Sequence, residues 1–397
     1  MAGKPVHILW EGTQLAPHSF ALVNRQHCGN LLDWDVAELT LIPYETDQFS
    51  PEPGTRLAHL MAHDVRRRGL NLRERAQRPH VWICHTWPPR RKPPGGDRRV
   101  VMLPWEYSRL PITHVETLKT AHEIWTPSTF SARAIVDSGV GVPVHVVPNG
   151  VEPRVFKPDG ERYPLADEHR FIFLYVGGTI YRKGIDLLLQ AYAATFSRDD
   201  DVCLVIKDVG TRTLYRGQTA QSLIREFQAK QNAPAILYLD EELTQEQLAA
   251  LYRRSDVLVA PYRGEGFSLP TLESMACGTP AIVTRGGATD DFVDAENGWQ
   301  VPSRQISVGN SIYGDDLGGE GFLLEPQPEE LAAILKHVSQ FPDEVRAKGV
   351  QAARTARNWS WEKATLELLR RVDALCGTQT ARAAQLKLAS MEGSNDA

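Results

Sequence analysis

The sequence predicts an α/β protein of two consecutive domains, each a parallel sheet covered by helices, and three observations carry that expectation. At 397 residues with 42% hydrophobic content the chain exceeds what one core usually supports. Short apolar runs alternate with longer helical patterns from one end to the other, the signature of strand–helix–strand units. A stretch rich in Pro, Gly and charge, residues 157–170, interrupts that alternation with the composition of a linker.

In the first half the candidate strands are residues 6–10, 37–42, 81–84, 100–103, 123–125 and 144–147. Helices fit between them, among them 55–68 and 129–137, the latter with Ser128 placed as its N-cap. The second alternation has strands at 171–176, 202–207, 235–239, 257–260 and 281–284. A helix at 243–255 opens on Thr244 with Gln247 three residues on, the form of a capping box. Residues 303–320, rich in Gly, Ser and Asp, break the pattern and read as a long surface loop. Helical periods resume at 328–340, 345–358 and 361–375, and residues 377–397, polar and small, read as a loose tail. The expected division is 1–157, 158–358, and 359–397 as a helix packing back toward the N-terminal domain plus that tail.

The net charge of −5 gives no reason to expect a nucleic-acid partner. Charge is nonetheless uneven: Arg66, Arg67, Arg68, Arg73, Arg75, Arg78, Arg90, Arg91, Lys92, Arg98 and Arg99 face only Glu74 and Asp97. Such a segment is either a solvated basic face or a surface that attracts an anionic acceptor or acidic lipid headgroups. The five cysteines are scattered, odd in number and set mostly in apolar text, which reads as reduced thiols. No run approaches ~18 apolar residues, and the first residues read as a strand rather than a signal peptide. The expected location is cytoplasmic, at most peripheral to a membrane.

The most informative text is Gly264-Glu265-Gly266-Phe267-Ser268-Leu269-Pro270-Thr271-Leu272-Glu273, running on to Gly278-Thr279-Pro280. It follows a strand and opens a helix, with Pro270 suited to the first turn and Gly278 to the stop. Backbone N–H groups with little side-chain cover then lie at the positive end of a helix dipole, a place that attracts phosphate. Glu265 precedes the helix and Glu273 lies about a turn inside it, so the two carboxylates meet one elongated ligand at separate points. A carboxylate accepts paired hydrogen bonds from vicinal hydroxyls, which suits a sugar ring and a ribose.

This Glu-x7-Glu pattern resembles the donor-site signature of glycosyltransferase family 4, the retaining enzymes of GT-B architecture. Further matches fall in the family's order: Val176-Gly177-Gly178 through Arg182-Lys183-Gly184-Ile185-Asp186, the helix before Ser255-Asp256, and Pro148-Asn149-Gly150-Val151. The resemblance implies a GT-B fold, two Rossmann-like domains with parallel sheets facing a central cleft. It also implies transfer of a hexose-type sugar from a nucleotide-diphosphate sugar to a hydroxyl acceptor, carbohydrate or lipid-linked, with retention and with neither metal nor cofactor.

Carried over residue by residue, Glu265 contacts sugar hydroxyls and Glu273 the ribose, while Gly266, Phe267 and Ser268 lie against the sugar and diphosphate. Lys183 matches the phosphate lysine. One departure stands out: family members often carry an Arg after the glycine corresponding to Gly177, and this chain has Gly178 there. Arg182 first, or Lys207 at the end of the next strand, supplies the missing charge. Gly12, in the loop after the first strand, matches a glycine that meets the donor phosphate across the cleft. His85, just past a strand's carboxyl end, matches a histidine near the reacting centre. Glu106 occupies a similar strand end and is a candidate for the acceptor side.

No Gly-x-Ser-x-Gly elbow, HExxH, CxxC pair or P-loop appears, and neither first-strand loop shows GxGxxG, which weighs against a dehydrogenase. The alternatives are a GT-B carbohydrate phosphorylase and a catalytically silent nucleotide-sugar-binding subunit.

Overall fold

The computed structural model describes residues 6–16, 18–45, 52–68, 80–90, 98–165, 170–210, 215 and 217–393. The N-terminal domain opens with β1 (His7–Glu11), α1 (Ser19–Trp34), β2 (Glu38–Ile42), α2 (Arg56–Met61) and α3 (Val65–Arg68). It continues through β3 (His80–Cys84), β4 (Arg98–Met102), α4 (Ile112–Leu118), β5 (Glu123–Thr126), α5 (Thr129–Asp137) and β6 (Val144–Val146). The single helix expected over 55–68 is two short ones: the chain bends at Ala62–Asp64, where Leu41 and Asp64 form a bridge. Ser128 caps α5 as its spacing predicts, its hydroxyl accepting from Ser131 N–H at 3.2 Å.

The C-terminal domain runs β7 (Phe171–Gly177), α6 (Ile185–Thr195), β8 (Val202–Asp208), α7 (Gln221–Gln228), β9 (Ala235–Leu239), α8 (Gln245–Arg254), β10 (Val257–Ala260), α9 (Leu269–Ala276), β11 (Ala281–Thr284) and β12 (Gly298–Val301). The capping box at Thr244 and Gln247 forms in full. The inner strands β7, β8, β10 and β11 are almost wholly buried and mostly apolar, as strands covered by helices on both faces must be, while the edge strands β9 and β12 are partly exposed.

Both sheets have six parallel strands. Their orders are β2-β1-β3-β4-β5-β6 and β12-β11-β10-β7-β8-β9. Each order reverses direction at one point, between β1 and β3 in the first sheet and between β7 and β10 in the second. Ligands of open α/β sheets bind outside the carboxyl ends of the strands at such switch points.

Two expectations about the second half are corrected. Residues 303–320 are no loop: β13 (Ser303–Ile312) and β14 (Asp315–Pro326) form an antiparallel hairpin closed by Tyr313-Gly314, both at positive φ. A two-residue turn of that hand matches the twist of paired strands, so Gly and Asp density here marks a hairpin. Beyond α10 (Pro328–Gln340), α11 (Pro342–Ala356) and α12 (Trp361–Cys376), the expected loose tail contains α13 (Thr380–Gly393). Asp373 accepts from Thr380 N–H and Ala381 N–H at 2.7 and 2.8 Å, capping α13, while Ala381 and Ala384 are buried against the core.

Helix α12 returns to the N-terminal domain. Thr365 Oγ1 lies 3.0 Å from His27 Nδ1 and accepts from Asn30 Nδ2 at 3.1 Å on α1, and Arg371 pairs with Glu123 of β5. Val151 N–H donates to Trp359 O at 2.8 Å. A Cβ on Gly150 would stand 2.3 Å from Trp361 N, which is why the crossing takes a glycine there.

Candidate active site

The two switch points face one cleft. On the C-terminal side, the loop after β7 carries Gly177 to Lys183 and the loop after β10 carries Pro261 to Ser268 into the first turn of α9. On the N-terminal side, the loop after β1 begins at Gly12, and His85 follows β3 directly. Between them lies a cavity of about 130 Å³ walled by Phe20, His85, Pro104, Glu106, Asn149, Lys183 and Glu265 to Pro270, among others.

A charged network crosses the cleft. Lys183 Nζ lies 2.5 Å from Glu265 Oε1, and Arg182 sits 3.9 Å from Glu265 Oε2 and 3.3 Å from Glu106 Oε1, also donating to Gly264 O at 2.5 Å. Burial works against the guanidinium charge, but Glu106 and Glu265 more than offset it, so Arg182 stays charged. Glu106 belongs to the N-terminal domain and Arg182 to the other, so this ion pair joins the two walls. Gly264 and Gly266 make the approach possible: a Cβ on Gly264 would stand 2.3 Å from Glu106 O, and one on Gly266 3.0 Å from Pro104 Cβ.

The loop ends on Ser268, a non-glycine residue at φ 73°, whose hydroxyl lies 2.8 Å from that of Thr271. This left-handed residue turns the chain sharply into α9, so that Gly266, Phe267, Ser268 and Leu269 all reach the cavity wall. Glu273, a turn further along α9, is buried and is not among the residues lining this cavity. Its Oε2 accepts from Tyr252 OH of α8 at 3.0 Å, and burial pushes its carboxyl up to about 7.

His85 is buried, stacked on Phe20 with ring centroids 4.6 Å apart. Burial, with lesser contributions from His27 and His18, holds its pKa down to about 3, so the ring is neutral. Its Nδ1 lies 2.7 Å from Asn24 Oδ1, an atom that also accepts from Trp10 Nε1–H at 2.9 Å. Because the indole can only donate, that atom is the amide oxygen. His85 therefore carries its proton on Nδ1 and keeps the Nε2 lone pair. Gly12 packs beneath: a Cβ there would stand 2.5 Å from His85 O and 2.6 Å from Asn24 Nδ2.

Of the residues singled out from sequence, Glu265, Lys183, His85, Glu106, Gly266, Phe267 and Ser268 share the cavity wall, and Arg182 stands between two of them. Lys207 does not join them; its Nζ donates to Asp208 O at 2.6 Å within the sheet, and burial lowers its pKa. Gly178 lies beneath Tyr215, since a Cβ at this position would stand 2.4 Å from that ring. The space an arginine would need there is filled. Tyr238, near the carboxyl end of β9, donates to Asp208 Oδ2 at 2.8 Å. Sequence reasoning missed Asn24 and Tyr215. Asn24 carries a weak signal, a polar residue four after Phe20 and three before His27 on one helix face, while Tyr215 carries none.

In the basic segment, Arg66 pairs with Asp64, Arg90 with Glu11, and Arg99 is buried against Thr120. The side chains of Arg67 and Arg68, and residues 73, 74, 75, 78, 91, 92 and 97, lie outside the described part. Among the described residues no group of three metal-ligating side chains occurs, and no helix is long and apolar enough to cross a membrane.

Two parallel-sheet domains whose switch points face one cleft define the GT-B class of fold, and the solved structures agree. The chain superposes over 94% of its length on 99% of sucrose-phosphate synthase from Thermosynechococcus elongatus, with a TM-score of 0.63 at 18% identity. HepE from Anabaena, solved with UDP and glucose, matches over 93% of this chain and 99% of its own, with a TM-score of 0.61 at 14% identity. Residues 159–308 match the model of the family Glycosyl transferases group 1.

Two curated relatives are an MMP alpha-(1->4)-mannosyltransferase of Mycolicibacterium hassiacum and a D-inositol 3-phosphate glycosyltransferase of Nocardiopsis dassonvillei. The first is 30% identical over 244 residues, covering 60% of this chain and 51% of the relative. The second is 32% identical over 162 residues, covering 39% and 38%. The chain thus spans about half or less of the length of these relatives.

Proposed function

We propose that this protein is a retaining, metal-independent glycosyltransferase of family 4, transferring a hexose-type sugar from a nucleotide-diphosphate sugar to a hydroxyl acceptor. The observation that carries this reading is the Lys183–Glu265–Arg182–Glu106 network, with neutral His85 lining the same cavity. The sugar-transfer activities of the two relatives, and the UDP and glucose bound in the HepE structure, support a sugar-nucleotide donor.

In this reading Glu265 and the His85 Nε2 lone pair accept from hydroxyls of the donor sugar, and Glu273 accepts from the ribose. As the bond from the anomeric carbon to the diphosphate oxygen breaks, its electron pair leaves with the diphosphate, and Lys183 and Arg182 stabilise the charge gained. The acceptor hydroxyl attacks on the face the diphosphate leaves, its proton passing to a departing phosphate oxygen, so configuration is retained. Lys183 exchanges Glu265 for the diphosphate on binding. A cavity of about 130 Å³ is smaller than the roughly 300–1,000 Å³ that encloses a drug-sized ligand, so donor entry requires the domains to part. The five unpaired thiols fit a reducing, cytoplasmic setting.

Thermal-shift measurements with UDP, GDP, ADP and their sugars test the donor class: one nucleotide series should stabilise the chain selectively. Glu265→Gln should reduce transfer by roughly a hundredfold or more while leaving nucleotide stabilisation in place. Unchanged turnover in that variant would falsify the assignment. Tyr215 over Gly178 favours a second reading, a catalytically silent nucleotide-sugar-binding subunit, which predicts donor binding with neither transfer nor hydrolysis.

A further inference from the structure

The hairpin of β13 and β14 leaves its own domain and packs on the other. Ile312 and Leu317 are buried in the N-terminal cluster with Trp105, Leu110 and Val115. Ser108 N–H donates to Phe322 O at 3.2 Å, and Phe322 N–H to Ser108 Oγ at 2.7 Å. These contacts seat the hairpin from its middle to the residue beside the turn and leave the turn itself unexplained.

At that tip the turn residues have φ 54° and 88° for Tyr313 and Gly314. Turns with two positive φ angles favour Asn-Gly, and a bulky aromatic in the first position is strained. Tyr313 is also 87% exposed, so little burial of its ring offsets that strain. Strain of this kind collects at sites of function. The hydroxyl of Tyr313 lies 3.3 Å from that of Tyr107 in the opposite domain, with the rings edge to face at 6.5 Å.

Tyr107 continues a row of rings. Trp105 lies 5.7 Å from it, and Trp87 stacks on Trp105 at 5.8 Å, half exposed and steadied edge-on by His114 at 4.9 Å. Trp87 is two residues past His85, and Glu106, between Trp105 and Tyr107 in the chain, lies on the cavity wall and pairs with Arg182. The row therefore runs from the hairpin tip to the lip of the cavity, alternating aromatic surface with hydroxyl and carboxylate groups.

Resting on the transferase reading for its direction, we propose that Trp87, Tyr107 and Tyr313 form the platform that binds the acceptor, and that the acceptor is a saccharide. A sugar ring presents an apolar C–H face and a rim of hydroxyls, the complement of flat rings edged by Tyr OH and carboxylate groups. A lipid tail needs a continuous apolar groove, which the hydroxyl pair and Glu106 interrupt. A polyanion needs unpaired cations facing it, and the guanidinium beside this row, Arg182, is held by Glu106 and Glu265. The platform directs one end of the saccharide toward Glu106 and the cavity.

The test uses the full chain on an immobilised glycan array, comparing wild type with Tyr313→Asn, Tyr313→Phe and Trp87→Ala. Wild type should bind a defined subset of glycans, and Tyr313→Asn and Trp87→Ala should bind that subset roughly fivefold more weakly or worse. Tyr313→Phe keeps the ring and should retain most of the signal. Because Asn suits the turn better than Tyr, Tyr313→Asn should melt no lower than wild type, which separates loss of a platform from loss of a clasp. No glycan binding by wild type, or equal binding by Tyr313→Asn, overturns the platform. Nucleotide stabilisation is read in parallel: its persistence leaves the transferase reading intact whatever the glycans do. Glycan binding without it supports the platform and removes the transferase.

Discussion

Burial of Glu273 beside Tyr252 raises its carboxyl to about 7, above the ordinary 4.5. The folded state holds this proton more tightly than the unfolded chain, so the group contributes stability below the ordinary value. That contribution is lost as pH rises toward about 7. Ionised Glu273 then costs about 3 kcal/mol, a cost that, in the transferase reading, a ribose diol donating to the carboxylate offsets. Glu273→Gln should melt higher than wild type above pH about 7. Nucleotide affinity in wild type should tighten as pH rises through that value, and the variant should lose this rise. Parallel profiles for the two would separate Glu273 from the nucleotide. His85 shows the same dependence on surroundings in the opposite sense: held neutral by burial and oriented by Asn24, it serves as an acceptor rather than a cation.

Among the elements, the loops after β7 and β10 carry the site, and Gly178 decides how the first of them packs. Gly178→Ala drives a Cβ into the Tyr215 ring and should cost about 1–3 kcal/mol, as overpacked sites do. Adding Tyr215→Ala should return most of that loss in a double-mutant cycle read by denaturant melts, and simple additivity would disprove the contact. The same elements show what was legible beforehand. Buried parallel strands such as β7 and β8 are continuous apolar runs, and the text from Glu265 to Glu273 fixes its own strand–turn–helix context. Those local patterns marked out Glu265, Lys183 and His85, which line one cavity from its two sides. The hairpin was illegible because its glycines and aspartates look like a loop until its partner strand is known. Strand β12, too short and too polar to stand out, went unread for a similar reason. Lys207, its amine turned to Asp208 O, and Tyr215 depend on contacts between distant segments that no spacing encodes.

At the scale of the whole molecule, the two domains meet around the cleft through the Glu106–Arg182 pair, through Thr129 N–H donating to Asp291 Oδ2 at 2.7 Å, and through the hairpin seated on α4 and its neighbours. In the transferase reading, the donor reaches this cavity by an opening of the seam. Cysteines introduced at Ser108 and Phe322, joined under oxidising conditions, should abolish the thermal shift given by the favoured nucleotide, and a reductant should restore it. An equal shift in the oxidised and reduced protein would mean that the donor enters without parting this seam.

The return of α12 and α13 to the N-terminal domain has a consequence for biosynthesis. Chains emerge from the ribosome in order, at about 5–20 residues per second, and domains usually settle as they emerge. Here β1 to β6 emerge before β7 to β12, yet Thr365, which seats His27 and Asn30, and the helices that cover α1 are translated after both sheets. The central sheet of β7 to β12 is uninterrupted in sequence and can close while its predecessor still waits. Of the two domains, the one made earlier is therefore completed later, its apolar α1 face uncovered until α12 has emerged.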